Sequence, residues 1–295
     1  MAHQRDSSPV AVAEASGHRQ LLSLVQKALS DHYTIEGEIG RGGAARIFLA
    51  RDRAGTAVAL KVLHPELTIS LTADRFLREV GLLSRLSHPR ICRLLDFGER
   101  EWLVYYVMSY VDGPTLRQHL DEVWRATTRD ALRTACEILE ALEYAHGLGV
   151  VHRDVKPENI KLSTDGAVLM DFGIAKAVHS AALDAQRLTR SGFTVGTSAY
   201  MSPEQAASAP AIDQRSDLYS LGCVMFECLA GAPPYTHPQD WEVLRMHQSG
   251  PVPDVRQRRR DVSPSLAKVV TRALAKNPGE RWQSATEMLA ALRAC

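Results

Sequence analysis

At 295 residues the chain has room for one large two-lobed unit or two ordinary domains, and a 45% hydrophobic fraction supports a sizeable core. Against 34 Asp and Glu stand 35 Lys and Arg, a formal charge of +1 that argues against a dedicated nucleic-acid binder. The 5 cysteines (Cys92, Cys136, Cys223, Cys228 and Cys295) include no C-x-x-C pair, so reduced thiols in a cytoplasmic setting are expected, and no run reaches the ~18 apolar residues of a membrane span.

Residues 1 to about 18 are small and polar and read as a loosely attached leader. Leu21, Leu22, Leu24, Val25, Ala28 and Leu29 then recur at helical spacing, predicting a short amphipathic helix packed on the body. These two pieces make up residues 1–30, ahead of a main domain at 31–295. Strands are expected at Ile47–Ala50 and Ala57–Val62, around the turn Arg53-Ala54-Gly55-Thr56. A helix follows from Ala73 to Leu86, opened by Thr72-Ala73-Asp74, and two further strands lie near Cys92–Phe97 and Trp102–Met108.

After Asp112-Gly113-Pro114 the pattern becomes mostly helical, with helices near 115–122, 129–147, 216–231, 240–248, 264–275 and 284–293. The expected architecture is α+β and bilobal. A small β-rich lobe with one helix, about 31–108, joins a larger helical lobe, about 113–295, through a hinge at 109–112. The basic run Arg256-Gln257-Arg258-Arg259-Arg260 reads first as a solvated loop and second as a docking point for acidic partners.

The chemistry concentrates in His152-Arg153-Asp154-Val155-Lys156-Pro157-Glu158-Asn159, followed closely by Asp171-Phe172-Gly173. Phosphoryl transfer to a hydroxyl needs a group that orients the hydroxyl, a cation beside the moving phosphate, and oxygen ligands for Mg²⁺. This stretch supplies all three. A glycine-rich Gly40-Arg41-Gly42-Gly43-Ala44-Ala45-Arg46-Ile47 sits between two expected strands, where backbone amides can approach phosphates without obstruction. Lys61 ends the apolar run Val58-Ala59-Leu60, where an isolated charge would be costly without anionic partners. With Ser202-Pro203-Glu204 and Lys276-Asn277-Pro278-Gly279-Glu280-Arg281, the chain resembles the bacterial eukaryotic-like (Hanks-type) Ser/Thr protein kinases over about residues 33–293.

The resemblance implies the kinase fold and an ATP-dependent transfer of phosphate to protein Ser or Thr hydroxyls. Asp154 would be the base, Lys156 would neutralise the γ-phosphate, and Asn159 and Asp171 would hold Mg²⁺, with Mn²⁺ as an alternative. Lys61 would bind the α- and β-phosphates and pair with Glu79 in the middle of the expected helix. Gly40, Arg41, Gly42, Gly43 and Ile47 would cover the phosphates, although Ala45 stands where the family has its third glycine and Ile47 where it has valine. Met108 would back the adenine, Ser109, Tyr110 and Val111 would line its edge, and Val58, Ala59 and Leu162 would clamp its faces.

His152 and Phe172 are expected to pack in the core joining the lobes, with Leu83 and Leu95. Arg153 would bind a phosphate on the following loop, at Thr189 or Ser191, with Thr194 third. Glu204 is expected to pair with Arg281, and Asp217 to hold the backbone of the 152–159 loop. The partners implied are ATP and protein substrates, and a homodimer through the small lobe is an open alternative. Two rivals stand beside this reading. One is a pseudokinase scaffold on the same fold; the other is a small-molecule phosphotransferase, which would lack the Ser-Pro-Glu segment and its arginine.

Overall fold

The computed structural model describes residues 21–42, 45–63, 80–81, 83–100, 103–172 and 197–295. Residues 21–29 form helix α1. Strands β1 (Tyr33–Arg41), β2 (Ala45–Asp52), β3 (Ala57–Leu63), β4 (Leu94–Arg100) and β5 (Leu103–Ser109) follow, all antiparallel and in the order β1-β2-β3-β5-β4. Residues 80, 81 and 83 are helical, inside the expected 73–86 helix; most of that helix lies outside the described residues.

Period-two alternation divides the sheet between two cores. Ala59, Leu63, Val104, Tyr106 and Met108 point toward the larger lobe. Val58, Leu60, Val62, Leu103, Tyr105 and Val107 point the other way, against Val25 and Leu29 of α1. Both α1 anchors are 0% exposed, and each contributes on the order of 1.5–3 kcal/mol by burial. The helix therefore covers a face that would otherwise be a large apolar patch. This alternation corrects one expectation: Val58 belongs to the α1 side of the sheet and cannot clamp a ligand in the cleft beside Ala59.

The fourth strand starts two residues later than the sequence suggests, and its register shifts between Leu94 and Asp96. As a result Leu94 is buried and Leu95 is 46% exposed. Leu94, not Leu95, joins Leu83, Met108 and Phe172 around a small apolar cavity behind the cleft.

The larger lobe is built from α2 (Leu116–Val123), α3 (Thr128–Gly147), the short α4 (Pro203–Ala206), α5 (Arg215–Ala230), α6 (Asp240–Ser249), α7 (Pro264–Ala273) and α8 (Ala285–Arg293). A full capping box, Thr115 with Gln118, opens α2, and Thr127 caps α3. Every residue of α5 from Ser216 to Ala230 is buried, so this helix is a central spine and not an amphipathic surface element. It stops at Gly231, whose φ of 84° is the left-handed conformation that commonly ends a helix.

A two-stranded hairpin, β6 (Ile160–Ser163) with β7 (Gly166–Leu169), is the one pair the helical reading of this half does not contain. Each strand has only four residues, too few for an alternation signal. The hairpin matters because it lies between the two chemical motifs and brings them together: Met170 N–H donates to the Asn159 carbonyl at 2.8 Å. No helix among the described residues is long and apolar enough to cross a membrane.

Candidate functional site

The 152–159 loop is held from beneath by α5. Asp217, 1% exposed, accepts from His152 N–H at 2.8 Å and Arg153 N–H at 2.7 Å. His146, from the last turn of α3, lies 2.8 Å from the same carboxylate through Nε2. Those bonds fix an unfavourable backbone: Arg153 has φ 70°, a left-handed conformation that costs a non-glycine residue about 1 kcal/mol. On the opposite side, Gln205 of α4 donates from Nε2 to the Arg153 carbonyl at 2.7 Å. The loop is thus clamped between two helices by its main chain.

His152 is a packing residue whose tautomer the structure determines. Asp154 N–H donates to its Nδ1 at 3.1 Å, so the proton sits on Nε2 and is donated to the Met170 carbonyl at 2.7 Å. Its ring meets Phe172 edge-on, centroids 4.6 Å apart. Both residues are buried, as expected of a core connecting the lobes.

Asp154, Lys156 and Asn159 converge within this loop. Lys156 Nζ lies 2.8 Å from Asp154 Oδ2, and Asn159 Nδ2 donates to the same oxygen at 2.9 Å and to the Asp154 carbonyl at 2.8 Å. Both cationic and amide partners therefore fall on Oδ2. The amide nitrogen of Asn159 is committed inward, and its carbonyl oxygen is the end that remains for an outside ligand.

Across the cleft, Lys61 of β3 donates to Asp171 Oδ2 at 2.7 Å, and Tyr106 of β5 donates to Oδ1 at 3.3 Å. Burial would raise the Asp171 carboxyl, but the Lys61 ammonium and its hydrogen bond, with His152 and Tyr106, outweigh burial and hold it below the usual carboxylate range. Asp171 has φ 58°, a second left-handed residue in the same site. Glu79, the other expected partner of Lys61, lies outside the described residues.

Oxygens from Asn159 and Asp171 make a small, hard donor set that suits Mg²⁺, which keeps waters and phosphate oxygens in most of its six positions.

The glycine-rich stretch is the hairpin joining β1 to β2. Gly40 pairs with Ile47 and Arg41 with Arg46, and Gly42 N–H donates to the Ala45 carbonyl at 2.9 Å. Arg41 turns its guanidinium back to Glu38 at 3.1 Å, so only its main chain faces the turn. Ile47 stands opposite Lys61 in the β2–β3 register and roofs the cleft with Ala59. Gly43 lies outside the described residues.

Met108 is 5% exposed at the back of the cleft. The first hinge residue, Ser109, is tied to the stretch before β4: its N–H donates to the Arg93 carbonyl at 2.9 Å, its hydroxyl accepts from Arg93 N–H at 3.1 Å, and its carbonyl lies 3.3 Å from the Cys92 thiol. Tyr110 and Val111 make no hydrogen bond among the described residues, which leaves their main chain for a ligand edge. Leu162 of β6 packs beneath, and its N–H donates to the Pro114 carbonyl at 2.9 Å. Gly113 is required where the hinge passes β6. Its φ is 115°, and a Cβ there would lie 2.1 Å from the Leu162 carbonyl oxygen.

The chain after the loop is anchored as strongly. Arg281, 0% exposed, grips Glu204 with two hydrogen bonds of 2.8 Å each. Its remaining donors reach the Ala275 carbonyl at 2.7 Å and the Lys276 carbonyl at 2.9 Å. Ser202 caps α4 in a reciprocal box with Gln205. Tyr200 donates to Glu227 at 2.5 Å, and Arg117 of α2 donates to the same carboxylate at 2.7 Å.

The sequence reading passed over His146, Tyr106 and Gln205. Only His146 carries a signal, a histidine in the last turn of the expected 129–147 helix, just before the loop; the roles of the other two depend on tertiary neighbours.

Comparison with known proteins agrees with this geometry. A model of the protein kinase domain matches residues 33–291. Serine/threonine-protein kinase PknB of Mycolicibacterium smegmatis is 43% identical over 272 residues, which cover 90% of this chain and 43% of that protein. PknB of Mycobacterium leprae is 41% identical with the same coverage. Serine/threonine-protein kinase pkn3 of Myxococcus xanthus is 39% identical over 280 residues, 92% of this chain and 51% of that protein. The chain thus spans about half, or less, of the length of these relatives. With the bilobal fold and the kinase domain match over nearly its whole length, the chain belongs to the protein kinase family, in its bacterial Hanks-type Ser/Thr group.

Proposed function

We propose that this chain is an active Ser/Thr protein kinase that transfers the γ-phosphate of ATP to hydroxyls of protein substrates, using Mg²⁺. The observation that carries the reading is the meeting of Asp154, Lys156 and Asn159 in one clamped loop, together with Asp171 of the same lobe, which Lys61 reaches from the other lobe.

In this reading Asp154 orients the acceptor hydroxyl and takes its proton. Its Oδ2 is already held by Lys156 and Asn159, so Oδ1 is the oxygen that receives the proton. A carboxylate is a weak base toward an alcohol, but in a loose transition state positioning outweighs basicity. Lys156 is close enough to Asp154 to follow the transferring phosphoryl group and offset its charge. Asn159 and Asp171 hold Mg²⁺, which when bound neutralises the phosphate oxygens. Lys61 holds the α- and β-phosphates, with Glu79 as its second anion.

Gly40, Arg41, Gly42, Gly43 and Ile47 cover the triphosphate. Ala59, Met108 and Leu162 enclose the adenine, and Ser109, Tyr110 and Val111 run along its edge, with Tyr110 and Val111 offering the main-chain groups. Arg153 reads phosphate on Thr189, Ser191 or Thr194, all three outside the described residues. Among the described residues its guanidinium donates only to the Ile212 carbonyl, at 3.4 Å, which leaves its charge for an anion.

The test is transfer of labelled phosphate from Mg·ATP to a generic protein acceptor. Wild type should label the acceptor and Asp154→Asn should not; equal labelling by both would reject the assignment of Asp154. Thr189→Ala combined with Ser191→Ala should lower the rate, and wild-type turnover in that double variant would remove both residues from the account.

A further inference from the structure

Tyr106 lies at the centre of the sheet, across from Lys61 in the β3–β5 register and from Phe97 in the β4–β5 register. It is 0% exposed. A phenol buried this deeply needs a partner for its hydroxyl. Alternation along β5 aims it into the cleft, where its partner is Asp171 Oδ1 at 3.3 Å. Lys61 holds the other oxygen, Oδ2, at 2.7 Å, and its Nζ lies 5.6 Å from the Tyr106 ring centroid. Three side chains from two strands and the Asp171 motif thus close a triangle.

The second donor has a geometric consequence. One donor on one oxygen fixes the distance of a carboxylate but leaves its plane free to turn about the Cβ–Cγ bond. Donors on both oxygens fix the plane. A carboxylate has about four lone-pair positions, so a donor on each oxygen still leaves a position on each for a cation. Asp171 needs such support because its own backbone is strained at φ 58°.

We infer that Tyr106 is a positioning residue for the metal site: its hydroxyl sets the plane of the Asp171 carboxylate and so raises the affinity of the nucleotide complex for the divalent cation. This rests on the reading of Asp171 as a Mg²⁺ ligand. Tyr106 acts through Asp171 and not on the nucleotide.

The experiment is a titration of a fluorescent ADP analogue into the intact chain at increasing Mg²⁺, for wild type, Tyr106→Phe and Tyr106→Met. Phe keeps the ring against Lys61, and Met fills the space without a donor, so a folding failure in one leaves the other to read. The Mg²⁺ concentration that half-maximally tightens ADP binding should rise about tenfold in both, the size of one hydrogen bond to a charged group, while metal-free ADP affinity stays at the wild-type value. An unchanged Mg²⁺ dependence overturns the inference. So does a parallel loss of metal-free binding, which would make Tyr106 a general packing residue. A wild type that binds no nucleotide at any Mg²⁺ concentration would instead remove the kinase reading itself, and this inference with it.

Discussion

Replacing Glu204 by Gln should destabilise the chain far more than a change of one surface charge. Arg281 is 0% exposed, each terminal nitrogen meets a Glu204 oxygen at 2.8 Å, and its Cζ lies 4.8 Å from the Tyr219 ring centroid. The substitution leaves a fully desolvated guanidinium with carbonyls but no anion. Breaking a buried pair on one side costs about 3–5 kcal/mol, whereas an exposed pair is worth about 1 kcal/mol or less. For a chain of this size 1 kcal/mol moves Tm by about 2 °C, so thermal melting at pH 7 should show a fall of roughly 6–10 °C. The control is Glu204→Gln with Arg281→Met, which removes the stranded charge and keeps aliphatic bulk on Tyr219. The double variant should lie well above the sum of the single effects, with a coupling of about 2 kcal/mol or more. A single-variant Tm within about 2 °C of wild type, or strict additivity, would refute the view of this pair as a desolvated anchor.

Three further outcomes are expected. Leu94→Ala should cost about 2–5 kcal/mol in denaturant melts and Leu95→Ala less than about 0.5 kcal/mol; the reverse order would contradict the register shift in β4. Gly113→Ala meets the Leu162 carbonyl and an unfavourable φ, so it should raise KM for ATP and lower Tm together, and an unchanged KM would separate the hinge turn from the cleft. His247 is held down to about 3 by burial and then by the Lys276 cation. Since its folded value lies below the unfolded one, it contributes stability above about pH 6.5 that is lost as pH falls toward 3. Tm should therefore fall less steeply below pH 6.5 in His247→Gln than in wild type, and an identical slope would exclude His247 as a source of acid lability.

Much of the fold and of the candidate site could be read from the residues, for physical reasons that differ from place to place. The 152–159 stretch is legible because its chemistry is local: the carboxylate, lysine and amide that meet in space are within five residues of one another. The Glu204–Arg281 pair is legible only through the family resemblance carried by Ser202-Pro203-Glu204 and Arg281, since nothing local selects Glu204 from the 34 acidic residues. Faces of the sheet are not legible in the same way. Val58, Ala59 and Leu60 are all apolar because α1 buries the second face, so alternation vanishes from the sequence and Val58 is assigned to the wrong side. Leu94 and Leu95 differ only by a register shift, which adjacent leucines cannot reveal. Tyr106 reads as one more aromatic in a strand until the pairing of β3 with β5 places it over Lys61.

The most direct test of the central claim is the intact mass of the purified chain after incubation with Mg·ATP, measured side by side for wild type and Asp154→Asn. A loop that orients a hydroxyl against a bound nucleotide should add phosphate-sized mass increments to the wild type, or to an added protein acceptor, and none to the variant. A wild type that binds Mg·ATP yet leaves both itself and the acceptor unmodified would contradict the account and make the fold a binding module.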